Sequence, residues 1–170
     1  MGARAAVAGA FGLLFAALAW PADAGRIVAY PTDYPPGAVL ISQSAKRLYF
    51  VVDAETAVAY PVAVARRGKE WSGPARIAGK FVEPAWSPPD SVKRDHPELP
   101  DVIRGGSPSN PMGARAITLD RDEIAIHGTT AAMRGSIGTA ASYGCIRMLN
   151  EDVIDLFDRV AIGAPVMMTR

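Results

Sequence analysis

Cys145 and His127 are the two residues whose types and spacing are best suited to covalent chemistry. Cys145 is the only cysteine in the 170-residue chain, and His127 stands eighteen positions before it, separated by mostly small residues. A nucleophilic thiol needs a base within hydrogen-bond reach, because the thiolate is the reactive form and a free thiol has a pKa near ~8.5. The pair therefore predicts a cysteine that can carry an acyl group.

Residue types alone leave two further roles open for the single cysteine. Cysteine is among the residue types most often buried, so Cys145 can be an inert core thiol. In an exported protein a lone cysteine can also form an intermolecular disulfide. His127 would then only cap the end of a strand. The surrounding Ser-x-Gly-Cys-Ile-Arg at 142–147 favours the catalytic interpretation.

An acyl transfer also needs hydrogen-bond donors for the charge that develops on the attacked carbonyl oxygen. Gly144 lets the backbone approach a substrate closely. We therefore predict an oxyanion hole formed by the N–H groups of Tyr143, Gly144 and Cys145.

His96, the other histidine, precedes a proline in a charged loop, and we expect it to be exposed to solvent.

Short β-type segments are predicted to position these residues. Residues 38–65 predict an antiparallel meander in which Pro61 marks an edge or a bulge. Residues 114–127 predict a hairpin that ends at His127. Residues 150–160 predict the clearest helix, with Asn150 as its N-cap and Gly163 as its end. A final strand is predicted at 164–169. The expected fold is mainly β with minor α, a β-sandwich or barrel with one or two helices packed on it.

Two segments rich in proline do not fit this pattern. Residues 83–113 show neither a helical nor a strand period, and we interpret them as a flap or part of a substrate groove; a plain scaffold loop is the alternative. Residues 25–37 predict a linker or an entry arm. Residues 38–170 are then long enough for a single domain.

The N-terminal residues 1–24 have the features of a signal peptide. A short basic start precedes an uncharged apolar run, and Ala-Asp-Ala at 22–24 suits cleavage before Gly25. An uncleaved membrane anchor is the alternative. We therefore expect the protein to be exported. The net charge of +1 argues against a general nucleic-acid binder.

The motifs together resemble the L,D-transpeptidase catalytic domain, also called the YkuD domain. The resemblance rests on "IHGT" at 126–129, "SYGCIRM" at 142–148 and "NPMGARAITL" at 110–119, followed by the helix "NEDVIDLF" and by "GAPV". These motifs occur in one order, and the likeness spans roughly residues 39–169.

This resemblance implies a mechanism on peptidoglycan stem peptides. Cys145 would attack the carbonyl after the L-centre of diaminopimelate, and His127 would accept the thiol proton and then protonate the departing D-alanine. The carbonyl of Gly128 matches the position that orients the histidine. Arg147 matches a position whose charge can bind a stem carboxylate, although a salt bridge to an aspartate such as Asp152 is the structural alternative. Ser142 would donate a hydrogen bond in the site or only shape the turn.

The same resemblance implies that the exported protein acts in the periplasm or cell envelope of a bacterium, and it also implies the family's usual partners. The acyl group would pass to an amine: a second diaminopimelate, a lysine of an envelope protein or a free D-amino acid. A carbapenem is the expected covalent inhibitor, and neither a metal nor an organic cofactor is required.

One residue departs from the family's pattern. The family usually has Ser-His-Gly-Cys, whereas this chain has tyrosine at position 143. A tyrosine with a pKa near ~10 is not a base at neutral pH, so we assign that role to His127. Two alternatives remain: a catalytically impaired peptidoglycan-binding protein on the same fold, and a sortase-like transpeptidase, whose histidine lies much farther before its cysteine.

Overall fold

The computed structural model describes residues 25–170, which form a mainly β structure with few helices, as predicted. Residues 1–24, including the predicted signal peptide, lie outside the described part. No helix within residues 25–170 is long and apolar enough to cross a membrane. The strands are β1 Arg26–Ala29, β2 Val39–Ser42, β3 Arg47–Val51, β4 Thr56–Pro61, β5 Val64–Ala65, β6 Gly73–Val82, β7 Arg115–Leu119, β8 Ala125–His127, β9 Ala140–Ser142, β10 Ile146–Arg147 and β11 Pro165–Thr169. The helices are α1 Asp90–Asp95, α2 Asn150–Arg159 and a 3-10 helix Ala131–Ser136.

Nine strands form one sheet in the order β1-β4-β3-β2-β11-β6-β7-β8-β10, and β5 pairs with β9 beside it. The predicted meander is the antiparallel run β2-β3-β4, and the predicted hairpin is β7-β8. The last strand, β11, lies between β2 and β6 and joins the two halves of the sheet. The chain's C-terminal strand is therefore central to the sheet.

Strand β6 has ten residues, and the sequence pattern did not predict it. Its alternation is short, since Ala75 and Ile77 face the core while later residues are more exposed. The pairing with β7 shifts register between Ile77 and Gly79, which breaks the period of two. The strand preference of the β6 residues alone is weak. The strand is instead stabilised by its pairing with β11 on one side and β7 on the other.

Both proline-rich segments contain regular structure that the sequence pattern did not show. Residues 83–113 include helix α1 and a bridge between Trp86 and Ile103. The helix has six residues, too few to show a helical period in the sequence. In the segment 25–37, β1 pairs with β4, and the ring of Tyr30 stacks on Tyr49 with centroids 4.4 Å apart. The predicted linker or arm thus supplies an edge strand.

Helix α2 packs on the main core, which lies against one face of the sheet. Val153, Leu156 and Val160 are buried there, as the apolar stripe predicted. The helix ends at Arg159, so the predicted end at Gly163 was wrong. Gly163 instead adopts φ +86° in the turn that follows, where its N–H donates to the carbonyl of Ile77 at 2.8 Å. This turn directs the chain into β11.

Candidate active site

The register of β8 and β10 brings His127 and Cys145 to the same face of the sheet. The two strands run parallel, with Arg147 opposite His127 and Ile146 opposite Ile126. Side chains alternate along a strand, so Cys145, two positions before Arg147, points to the side that also carries His127. Ideal strand geometry separates their Cα atoms by roughly 8 Å. The sulfur is half-buried, and its hydrogen bond goes to the carbonyl oxygen of Glu123 at 3.3 Å.

Backbone carbonyl groups fix the orientation of the His127 ring. Nδ1 lies 2.9 Å from the carbonyl oxygen of Gly128 and 3.0 Å from that of Pro111. A carbonyl oxygen only accepts hydrogen bonds, so Nδ1 carries the proton of the neutral ring. Nε2 is consequently the basic nitrogen. Gly128 thus makes the contact that the resemblance implied. The contact of Pro111 was not predicted, because a backbone carbonyl contact does not depend on the type of side chain.

Asn150 holds the loop that follows His127, and its predicted role as N-cap was wrong. Leu149 occupies the cap position of α2. The Asn150 side chain turns away from the helix: its Oδ1 accepts from the N–H of Ala114 at 3.1 Å and of Thr129 at 3.0 Å, and its Nδ2 donates to the Thr129 carbonyl at 3.0 Å. Asparagine can serve either purpose, and the sheet topology, which brings residues 114 and 129 to the start of α2, decides between them.

Burial keeps the His127–Cys145 pair uncharged at neutral pH. His127 is only 3% exposed, and burial followed by the positive charge of Arg147 lowers its pKa to about 4. Burial likewise raises the pKa of the Cys145 thiol, although a backbone hydrogen bond at Ala125 and the charge of Arg147 oppose this. A neutral imidazole beside a neutral thiol can accept the proton as the sulfur attacks.

The turn 142–145 is tightly organised around Ser142. The buried hydroxyl donates to the carbonyl of Cys145 at 2.5 Å and accepts from the N–H of Gly144 at 3.2 Å. Gly144 has φ +135°, and a Cβ there would meet Ile124, so the turn needs glycine. Because its N–H is already bonded to Ser142, Gly144 can serve the predicted oxyanion hole only by giving up that bond. The N–H groups of Tyr143 and Cys145 are the other two predicted donors.

The Tyr143 side chain reaches the end of helix α1. Its hydroxyl donates to Asp95 at 2.7 Å, and the Arg66 guanidinium, 3.8 Å from the ring centre, also reaches Asp95 at 2.7 Å. The hydrogen bond to Asp95 is the main cause that raises the pKa of Tyr143, and it lowers that of Asp95. His96, exposed as expected, lies edge-on to Tyr143 at 6.4 Å. This Tyr143 cluster joins the nucleophile turn to the segment 83–113.

Arg147 is buried beside the pair. It is 9% exposed, and its Nη1 donates to the hydroxyl of Ser136 at 2.8 Å. Its guanidinium Nε has no hydrogen-bond partner among the described residues. Burial lowers the pKa of Arg147, but it stays a cation at neutral pH and favours negative charge nearby.

In residues 25–170 no group of three or more His, Cys, Asp or Glu side chains comes together to hold a metal ion.

Comparison with known proteins assigns this chain to a family. The family model for the L,D-transpeptidase catalytic domain matches residues 36–168. The Probable L,D-transpeptidase ErfK/SrfK of Escherichia coli (strain K12) is 33% identical over 146 residues, 81% of this chain and 45% of that protein. This chain thus spans less than half the length of that curated relative.

Solved structures share the fold. L,D-transpeptidase 3 from Mycobacterium tuberculosis, in complex with a faropenem-derived adduct, superposes with a TM-score of 0.62 at 17% identity, covering 80% of this chain and 61% of that one. A Brucella melitensis protein, named a probable carnitine operon oxidoreductase caia, has a TM-score of 0.58 at 36% identity and covers 86% of this chain and 93% of its own. That name describes an oxidoreductase and not a transpeptidase. The sequence of this chain lacks the glycine-rich fingerprint of a dinucleotide-binding site.

Proposed function

Because the chain belongs to the L,D-transpeptidase catalytic-domain family, we propose that it is a cysteine transpeptidase acting on the tetrapeptide stems of bacterial peptidoglycan. The orientation of His127 is the observation that carries this proposal. Two carbonyl groups hold the Nδ1 proton, so that Nε2 is available as a base on the face shared with Cys145. A core histidine with a purely structural role would not need to sit beside a half-buried thiol.

In the first half-reaction the Cys145 sulfur attacks the carbonyl after the L-centre of diaminopimelate. His127 Nε2 accepts the thiol proton and then gives it to the nitrogen of D-alanine, which leaves as the amide bond breaks. The N–H groups of the turn 143–145 stabilise the charged carbonyl oxygen. The Arg147 cation, near both side chains, favours the thiolate as it forms.

In the second half-reaction an amine attacks the thioester. The amine belongs to a second diaminopimelate, a protein lysine or a free D-amino acid, and its proton passes to His127 and on to the sulfur. The product is a cell-wall cross-link, an anchored protein or an exchanged terminal residue. Export to the periplasm or cell envelope, as the N-terminal sequence indicates, would bring the enzyme to this substrate.

Mass spectrometry of the intact protein tests the proposal. A carbapenem should add its mass to the wild type and leave Cys145→Ser unmodified; faropenem, the source of the adduct in the M. tuberculosis relative, is a second probe. Tetrapeptide muropeptides with an amine acceptor should give products that have lost D-alanine. A wild type that binds muropeptides without any covalent adduct would instead identify a peptidoglycan-binding protein, the alternative that Tyr143 favours.

A further inference from the structure

An open pocket of about 500 Å³ lies beside the nucleophile turn and has no role in the steps described above. It is formed by the loop after β5 and by the turn of the β7-β8 hairpin, two segments that are distant in the sequence. Its lining residues are Lys69, Trp71, Asp120, Arg121, Asp122 and Ile124.

The pocket walls contact the turn that carries the thiol. The indole Nε1 of Trp71 donates to the Gly144 carbonyl at 2.9 Å. Ile124 lies against Gly144, where an added Cβ would come within 2.7 Å of its Cδ1. The Cys145 sulfur bonds to the carbonyl of Glu123, the residue before Ile124. A molecule in the pocket therefore lies against residues that contact the turn 143–145, which carries the sulfur.

The lining combines an apolar wall with charges of both signs. Trp71 and Ile124 offer an aromatic ring and an aliphatic side chain. The guanidinium of Arg121 lies 4.7 Å from the Trp71 ring centre, and the ion pairs found among residues 25–170 include neither Arg121 nor Lys69. Asp120 accepts a hydrogen bond from the N–H of Arg76 at 2.7 Å. Arg121 Nη1 donates to the Pro74 carbonyl at 3.3 Å, which leaves its other N–H groups for a ligand. The lining holds two carboxylates, Asp120 and Asp122, against two cations, and Lys69 and Arg121 are its two groups that can pair with an anion.

The reaction itself limits what can occupy this place. The departing D-alanine and the incoming acceptor both place a nitrogen on the same acyl carbon, so they share one subsite. D-alanine has its carboxylate on the carbon that bears the nitrogen. On the premise of the proposed function, we propose that this pocket is the subsite for the leaving and the accepting amino acid, with Lys69 and Arg121 binding the carboxylate.

The chemical class of acceptor follows from that assignment. It is an α-amino acid centre, free or at the end of a diaminopimelate side chain, rather than the isolated amine of a protein lysine. In the transfer the amine nitrogen bonds to the acyl carbon while the thioester C–S bond breaks. The proton lost by the amine passes to His127 and then to the sulfur, which restores the thiol.

The test compares three acceptors on the acyl-enzyme made from a tetrapeptide muropeptide. D-methionine, D-methioninamide and Nα-acetyl-lysine amide are supplied at equal concentrations of unprotonated amine. We expect kcat/KM for D-methionine to exceed that for each amide about 25-fold, about fivefold for each of two exposed ion pairs. Lys69→Gln and Arg121→Gln should each reduce this acid-to-amide ratio about fivefold, whereas Arg47→Gln, far along the sheet, should leave it unchanged.

The ratio within one variant is independent of how much of that variant is folded, so partial misfolding cannot mimic the result. Equal rates with D-methionine and its amide in the wild type would overturn the proposal, as would a ratio that survives in the Lys69→Gln and Arg121→Gln double variant. Failure of the proposed function looks different, since no acyl-enzyme would form with any acceptor.

Discussion

The two ends of the active-site region are held by different kinds of contact. His127 is buried, and backbone carbonyls of two segments fix its ring, with Asn150 securing the loop behind it. Tyr143, on the other side of Cys145, is more exposed and is held by the side chains of Asp95 and Arg66. The His127 end depends on the course of the backbone, whereas the Tyr143 end depends on a surface ion pair.

This difference indicates which of the two residues must be held in place for the proposed chemistry and which can be replaced. A base must keep its orientation and protonation state, and burial among backbone groups enforces both. Exposed charged side chains contribute little and tolerate replacement. We therefore expect tyrosine at the family's histidine position to be compatible with the proposed activity, because Tyr143 contacts Asp95 and Arg66 and we assign the base to His127. Four experiments probe the contrast between the two ends.

Replacing His127 should have the largest effect. His127→Ala is expected to lower the rate of Cys145 acylation by a carbapenem about 1000-fold, since a positioned general base contributes roughly 10²–10⁴-fold. Stopped-flow or mass-spectrometric adduct formation measures this. His96→Ala, which removes the exposed histidine, is the matched control and should react like the wild type. Similar losses in both variants would mean that His127 is not the base.

The buried imidazole should also make stability depend on pH. The pKa of His127 is about 4 in the folded protein, below the 6.5 of a free histidine, so the unfolded chain takes up its proton first as the pH falls. The free energy of unfolding should decrease from pH 6.5 toward pH 4 by up to about 3 kcal/mol. Chemical denaturation at several pH values measures this change.

His127→Gln is the control for that pH series, because it removes the titrating ring and should remove most of the decrease. If the wild type and His127→Gln lose stability in parallel over this range, the ring is not the group that titrates. Acylation by a carbapenem should meanwhile persist in the wild type at pH 5.5, where the imidazole is still neutral.

Asn150 should be the next most sensitive position. Asn150→Ala leaves the N–H groups of Ala114 and Thr129 without their acceptor, and we expect the free energy of unfolding to drop by about 2 kcal/mol. Asn150→Asp keeps an acceptor and should lose less. Urea denaturation compares them. A wild-type midpoint for Asn150→Ala would contradict the role of this side chain in holding the loop.

Replacing Tyr143 should have the smallest effect. Tyr143→His and Tyr143→Phe both remove the hydrogen bond to Asp95, which is exposed, so the acylation rate should stay within an order of magnitude of the wild type. The same carbapenem assay applies. A loss in Tyr143→Phe as large as that in His127→Ala would erase the difference between the two ends.

The sequence predicted the elements whose signals are local. The hairpin that presents His127 and the apolar stripe of α2 are readable because strand and helix periods repeat within a few residues. Strand β6 and helix α1 were not readable: the strand's period is broken by a register shift, and the helix is too short to show one. Both elements are held by contacts with segments distant in the chain.

The amino-acid sequence alone establishes which groups are available for chemistry, a single thiol and a histidine at a strand end, and through its motifs the family. The folded chain was needed to show that Pro111 shares the orientation of the ring, that Asn150 leaves its helix to bind a loop, and that Tyr143 turns to Asp95. These contacts join residues that are far apart in the chain. They depend on the register and order of the strands, which no local sequence pattern encodes.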